Sequence, residues 1–222
     1  MSIIDWFRKK KEQPKGIITR YRGNVIARML WGESIDDYMY ENIDDRKDIC
    51  PICHNTLGHI PNQSVVIHNR NWDLSTTYDG YWIISEKFYD FCKEGNYKNL
   101  RIIPLSNSKG LYYFEPMDIF GLDYELYGTK YINKRDCCGS YDEIIKPPVI
   151  KAKDFNIESN DFIMKSGTLF GPHEKKIFTI IIGNETAKKM KAYGIKNIYF
   201  KKIYDPNGLK IINIEVNRKI WD

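Results

Sequence analysis

Gly80-Tyr-Trp-Ile-Ile-Ser-Glu-Lys-Phe-Tyr-Asp-Phe-Cys-Lys93, running on into Tyr97-Lys-Asn-Leu-Arg-Ile-Ile-Pro-Leu105, is the stretch that decides the fold class. Its apolar start is too short for a helix and is closed by Ser85, which suits a buried strand. Ser85 and Glu86 then offer a side-chain acceptor and negative charge to the unpaired amides of a helix start. Phe88, Phe91 and Cys92 follow at spacings of three and four, one apolar helical face. A Gly-containing turn leads into a second strand. Far downstream the same order returns. Phe178-Thr-Ile-Ile-Ile-Gly-Asn-Glu-Thr-Ala-Lys-Lys-Met-Lys191 leads into Gly194-Ile-Lys-Asn-Ile-Tyr-Phe-Lys-Lys-Ile203, with Asn184 and Glu185 at the helix start and Ala187, Met190 and Tyr193 on one face.

Each strand-helix-strand segment follows similar punctuation. Cys53 precedes Pro61, and Cys138 precedes Pro147-Pro148. The β-type runs Ser64-Val-Val-Ile-His68 and Val149-Ile-Lys-Ala152 come next, then the acidic-aromatic pairs Trp72-Asp73 and Asp161-Phe162. The pattern predicts an α+β protein of duplicated Cys-knuckle plus β-β-α-β modules with mixed or antiparallel sheets. The expected divisions are a basic segment at 1–20, a first module at 21–118 and a second at 119–222, the two modules packed as one domain. Leu111–Pro116 reads as a hairpin or edge strand, the stretch 21–40 as strand or helix, and 209–216 as a last strand after Asp205-Pro-Asn-Gly.

The two knuckles, Cys50-Pro-Ile-Cys53 and Cys137-Cys138-Gly139, hold four of the five cysteines. Zn²⁺ takes four thiolates in a tetrahedron, and a Cys-x-x-Cys turn presents two of them. The candidate ligands are Cys50, Cys53, Cys137 and Cys138 of a structural zinc joining the modules. Adjacent side chains diverge on extended backbone, so Cys137 and Cys138 can both bind only in a tight turn, which Gly139 permits. His54 or His59 could be the fourth ligand if Cys137 is turned away. Plain reduced thiols, a redox pair and a catalytic zinc with an open position are the competing readings, although His54-Asn-Thr-Leu-Gly58 resembles a loop rather than a helix opening and no carboxylate-bearing motif accompanies the cluster.

These residues resemble the bacterial double-CXXCG-motif family, whose members include immunity proteins of contact-delivered toxins. The resemblance runs over roughly 45–205, through Cys50-Pro-Ile-Cys53, Cys138-Gly139 before a proline-rich strand entry, and the closing strand-helix-strand. Two positions depart from the family pattern: Arg135 stands where the second motif has its first Cys, and His54 where the first motif has Gly. The resemblance implies a cytosolic antitoxin that binds and occludes a cognate toxin, has no chemistry of its own and takes no small-molecule substrate.

Composition adds limits. The chain is 222 residues long and 42% hydrophobic, so a core can form without disulfides. No phosphate loop, nucleophile elbow or His-Glu-x-x-His segment is present. Free thiols and no secretory pattern at the start suit a reducing cytoplasm. Net charge is +5, with a basic run at Arg8-Lys-Lys-Lys11. Residues 1–11 read either as a short helix docked on the body or as a weak contact with an anionic membrane through Ile3, Ile4, Trp6 and Phe7. The acidic pairs Asp36-Asp37 and Asp44-Asp45 are the candidate partner surface, by charge complementarity with a basic toxin. The alternative function is a zinc-ribbon nucleic-acid binder using Arg8–Lys11 with Lys188, Lys189, Lys191, Lys201 and Lys202.

Overall fold

A computed structural model describes residues 15–68 and 71–217. The fold is α+β. The N-terminal half supplies strands β1 (Lys15–Arg22), β2 (Val25–Trp31), β3 (Glu33–Ser34), β4 (Leu74–Thr76) and β5 (Trp82–Ser85), then helix α1 (Glu86–Glu94), β6 (Leu100–Pro104) and β7 (Leu111–Pro116). The C-terminal half supplies β8 (Ile119–Phe120), the one-turn helix α2 (Tyr124–Tyr127), β9 (Lys130–Lys134), β10 (Tyr141–Ile145), β11 (Ile163–Pro172), β12 (Ile177–Gly183), α3 (Asn184–Tyr193), β13 (Tyr199–Tyr204) and β14 (Lys210–Asn217).

Both expected strand-helix-strand segments form, and each is split by an inserted antiparallel strand. In the five-stranded sheet, order β3-β4-β5-β7-β6, strand β7 lies between β5 and β6. In the seven-stranded sheet, order β13-β2-β12-β11-β10-β9 with β8 beside β11, strand β2 lies between β12 and β13. Leu111–Pro116 therefore forms a hairpin with β6, and it is an interior strand rather than an edge. The division at 118/119 does not follow the sheets, because β2 belongs to the sheet built mostly by residues beyond it. Strands β1 and β14 make a separate two-stranded ribbon.

The apolar runs are continuous because the middle strands are buried on both faces. On β12, Phe178, Ile180 and Ile182 enter one core with Trp82 and Ile84 of β5 and the apolar faces of α1 and α3. Ile181 points the other way, to Ala27, Met29 and Ile203. Ile83 likewise turns from the shared core toward Tyr81 and Tyr113. Period-2 alternation thus feeds three cores from two sheets.

Helix starts differ in detail. Ser85 Oγ accepts from the Phe88 amide at 3.2 Å, as the capping pattern requires. Asn184 does not cap: its Nδ2 donates to the Val25 carbonyl at 2.9 Å and Gly183 is the cap residue. The Asn184 hydrogen bond to β2 turns its side chain toward Val25 and away from the helix amides that a capping oxygen would accept from. Ser64–His68 forms no regular strand; its backbone is tied instead to Ser108, whose Oγ accepts from the Ile67 amide at 2.8 Å. Val149–Ala152 forms only isolated bridges. The leading strands are β4 and β11, after the acidic-aromatic pairs rather than before them.

Gly32 is where the chain leaves one sheet for the other. A Cβ there would sit 2.1 Å from the Leu74 carbonyl oxygen. Gly32→Ala is expected to cost about 3 kcal/mol of stability, because backbone must move to relieve the overlap. Urea unfolding measures it, and a variant within experimental error of wild type would disprove the close approach.

Candidate metal centre

The loops carrying the cysteines adopt one backbone form twice. The His54 amide donates to the Cys50 carbonyl at 2.9 Å and the Cys50 amide to the Asn55 carbonyl at 2.9 Å. In the other loop, the Gly139 amide donates to the Arg135 carbonyl and the Arg135 amide to the Ser140 carbonyl, both at 2.7 Å. His54 (φ 57°) and Gly139 (φ 71°) occupy the left-handed turn position. Ile49 pairs with Thr56, and Lys134 with Tyr141, to close the two loops. Residues 50–55 therefore superpose in pattern on 135–140. Arg135 stands in the place of Cys50, Cys138 in that of Cys53, and Cys137 in that of the exposed Ile52. His54 carries the strain of a left-handed non-glycine residue where its counterpart is glycine.

All four sulfurs lie within 4.8 Å of one another. Cys50 Sγ is 3.7 Å from Cys137 Sγ, and Cys53 Sγ is 3.6 Å from Cys138 Sγ. The edge of a tetrahedron with ~2.3 Å metal–sulfur bonds is about 3.8 Å, so the cluster can hold one metal ion with little adjustment. Cys50 is buried and Cys137 is exposed, so Cys137 closes the site from the solvent side. Amides of Cys53 and Ile52 aimed at Cys50 pull its thiol down to about 6, toward the thiolate a metal requires. Cys92 stands apart, buried in α1, where burial pushes its thiol up to about 12.

Neither His54 nor His59 belongs to the cluster. His59 is buried with its edge toward Tyr81 and Phe178, at ring separations of 5.0 and 5.5 Å, and its Nε2 meets the Lys176 carbonyl at 2.9 Å. Burial, the leading cause, holds its pKa down to about 4. The unfolded chain takes up this proton near 6.5 and the folded chain only near 4. The associated stability is whole above pH 6.5 and is lost as pH falls toward 4, on the order of 3 kcal/mol in all. Urea unfolding of wild type and His59→Gln at both ends of that window should show the shallower pH slope in the variant; parallel slopes would refute the assignment.

Behind the cysteines lies a support that no motif announced. Lys176 is 1% exposed, and its Nζ donates to Asn55 Oδ1 at 2.8 Å, Ser140 Oγ at 3.0 Å and the Tyr141 carbonyl. Asn55 and Ser140 are the matching residues of the two loops, so one ammonium ties both. Asn55 Nδ2 donates to Cys53 Sγ at 3.5 Å and to Asp142 Oδ1 at 3.2 Å. Arg135 Nε donates to the same Asp142 oxygen at 2.6 Å and helps hold that carboxyl down to about 2. Below the first loop, Arg46 Nε donates to Asp48 Oδ1 at 3.0 Å, and Asp48 Oδ2 accepts from the Ile60 amide at 2.7 Å. Setting 50–55 against 135–140 would have marked Asn55 and Ser140; nothing local distinguishes Lys176 from Lys175.

The acidic pairs lie elsewhere. Asp36, Asp44 and Asp45 are exposed, whereas Asp37 holds His68, accepting from its amide at 3.1 Å and meeting its Nδ1 at 2.8 Å. Tyr38 is 47% exposed and stands between two clefts of about 410 and 420 Å³, both also lined by Tyr40 and Glu41. Among the residues of the nucleic-acid alternative, Arg8–Lys11 lie outside the described residues. Lys188 pairs with Glu185 at 2.6 Å, Lys189 pairs with Asp161, and neighbours Lys201 and Lys202 point to opposite faces of β13. No described helix is long and apolar enough to cross a membrane. Compared with family models, curated proteins and solved structures, the chain matches none of them.

Proposed function

We propose that this protein is a cytosolic immunity protein that binds and occludes a cognate bacterial toxin, with a structural zinc joining two copies of one knuckle-bearing module. The observation that carries the structural role of the metal is the four-thiol cluster. Four sulfurs leave no position open for a water or substrate, which distinguishes a scaffold site from a catalytic one. Lys176 and Asn55 orient the loops and partly offset the charge of four thiolates.

Binding is assigned to the acidic, aromatic face around Tyr38. An exposed tyrosine between two clefts supplies an anchor of the type that dominates protein interfaces, and Asp36, Asp44, Asp45 and Glu41 favour a basic partner. The test is co-expression with the toxin encoded beside this chain. Growth should be restored by wild type and lost with Tyr38→Ala combined with Asp44→Lys and Asp45→Lys. Normal growth of cells expressing that toxin without this chain would end the antitoxin reading. Metal analysis of the purified protein tests zinc separately, at one ion per chain.

A further inference from the structure

The two matched loops do not place their sulfurs alike. Cys50 and Cys53 take the first and fourth positions of one loop, and Cys138 takes the fourth of the other. Cys137 stands at the third, the place that Ile52 holds in the first loop. Ile52 is 75% exposed, so the third position of this turn faces solvent. Cys137 is exposed as well, and its sulfur reaches the cluster from outside. Arg135 fills the first position, and its Nε is committed to Asp142 at 2.6 Å.

Hydrogen-bond donors divide the sulfurs in the same way. Cys50 Sγ accepts from the amides of Cys53 and Ile52, Cys138 Sγ from the amide of Ser140, and Cys53 Sγ from Asn55 Nδ2 at 3.5 Å. Among the described residues Cys137 Sγ meets only the other three sulfurs. An N–H donated to a thiolate stabilises its charge and lowers its nucleophilicity. With a metal bound all four sulfurs are thiolates, so exposure and hydrogen bonding rank them, not protonation. Cys137 comes first on both counts. Its neighbour Cys50 is buried, 3.7 Å away sulfur to sulfur. An exposed thiolate with a second cysteine at hand is the arrangement of a peroxide-reactive pair.

We propose that Cys137 is a modification site for peroxides, through which the cluster discharges its metal. The Cys137 thiolate attacks one peroxide oxygen; an S–O bond forms, the O–O bond breaks and hydroxide leaves. Cys50 then attacks the Cys137 sulfur; an S–S bond forms, the S–O bond breaks and a second hydroxide leaves. Two thiolates have lost two electrons and the peroxide has gained them. Only Cys53 and Cys138 remain as ligands, half of the tetrahedron that zinc requires. The loops are then joined by a disulfide where the ion had joined them. The proposal rests on the structural zinc assigned above and is independent of toxin binding.

The test treats the zinc-loaded full chain with hydrogen peroxide. A chelating dye follows zinc, dimedone traps sulfenic acid and peptide mass mapping locates disulfides. Zinc should be released together with formation of a Cys50–Cys137 linkage, and dithiothreitol with added zinc should reverse both. Under limiting N-ethylmaleimide, Cys137 should be labelled about tenfold faster or more than Cys50, Cys53 or Cys138. Arg135→Cys combined with Cys137→Ile moves the thiol to the place that Cys50 holds in its own loop. It should slow zinc release about tenfold or more at unchanged zinc content. If that variant binds no zinc, the labelling order of wild type still decides. Labelling that starts at another cysteine, or a zinc-loaded double variant that releases metal as fast as wild type, would overturn the proposal. A loaded cluster that keeps its zinc in excess peroxide overturns it alone; a chain that takes up no zinc overturns it together with the metal assignment.

Discussion

Stripping the metal with a chelator, or replacing Cys53 by Ser, should lower the melting temperature by about 10–20 °C, equivalent to about 5 kcal/mol for a chain of this size. Binding of structural zinc is worth about 10–16 kcal/mol where folding depends on it, against about 5–15 kcal/mol for the whole stability of an ordinary domain. None of the four clustered cysteines belongs to the three hydrophobic cores, so the loss should fall short of complete unfolding. Without a metal the two loops would meet through sulfurs 3.6 and 3.7 Å apart and through Lys176. The thiols should also differ in rank. Cys50→Ser, at the buried corner, should cost more than Cys137→Ser, whose place water can take from the solvent side. Thermal melts with measured metal content read all of this. An unchanged melting temperature after complete metal removal would refute the structural role.

Lys176→Met is the second large effect. The methionine fills similar space but leaves Asn55 Oδ1, Ser140 Oγ and the Tyr141 carbonyl without their donor in a buried site. Unpaired buried acceptors and a broken charged network cost about 3–5 kcal/mol. Metal affinity should fall about 10–100-fold, because Lys176 positions both loops and sits near the thiolates. Lys176→Arg should not restore it, since a planar fork cannot replace a compact ammonium with three divergent partners. Urea unfolding of the metal-loaded protein and competition with a chelating dye measure the two effects separately. A methionine variant as stable as wild type would show the three contacts to be incidental.

Much of the local structure was legible from residues 80–105 and 178–203. Ser85 caps as its pattern says, and Phe88, Phe91 and Cys92 are buried together. The cysteine cluster was also legible, down to all four members. Pairing between strands was not, because it depends on contacts across the chain. Nothing in Val25–Trp31 names β12 and β13 as its neighbours, and nothing in Leu111–Pro116 says that β7 is inserted between β5 and β6. The expectation for Ser64–His68 failed for a related reason. Its β-branched residues fit a strand, but it joins no strand among the described residues, and Asn107 and Ser108 bond to Ser64, Val65 and Ile67 instead. Lys176 was invisible because its role exists only once residues 55, 140 and 176 meet.

The position of β2 between β12 and β13 has a consequence for biosynthesis. Val-Ile-Ala-Arg-Met-Leu-Trp leaves the ribosome early, yet both of its hydrogen-bonding edges belong to residues 177–204. At about 5–20 residues per second, this apolar strand waits roughly ten seconds or more for its partners. An unpaired apolar strand is a site for wrong pairing and aggregation throughout that wait. The five-stranded sheet can form meanwhile, because β4 to β7 are local. The seven-stranded sheet can close only when β12 and β13 have been made, so β2 stays without its strand partners until then.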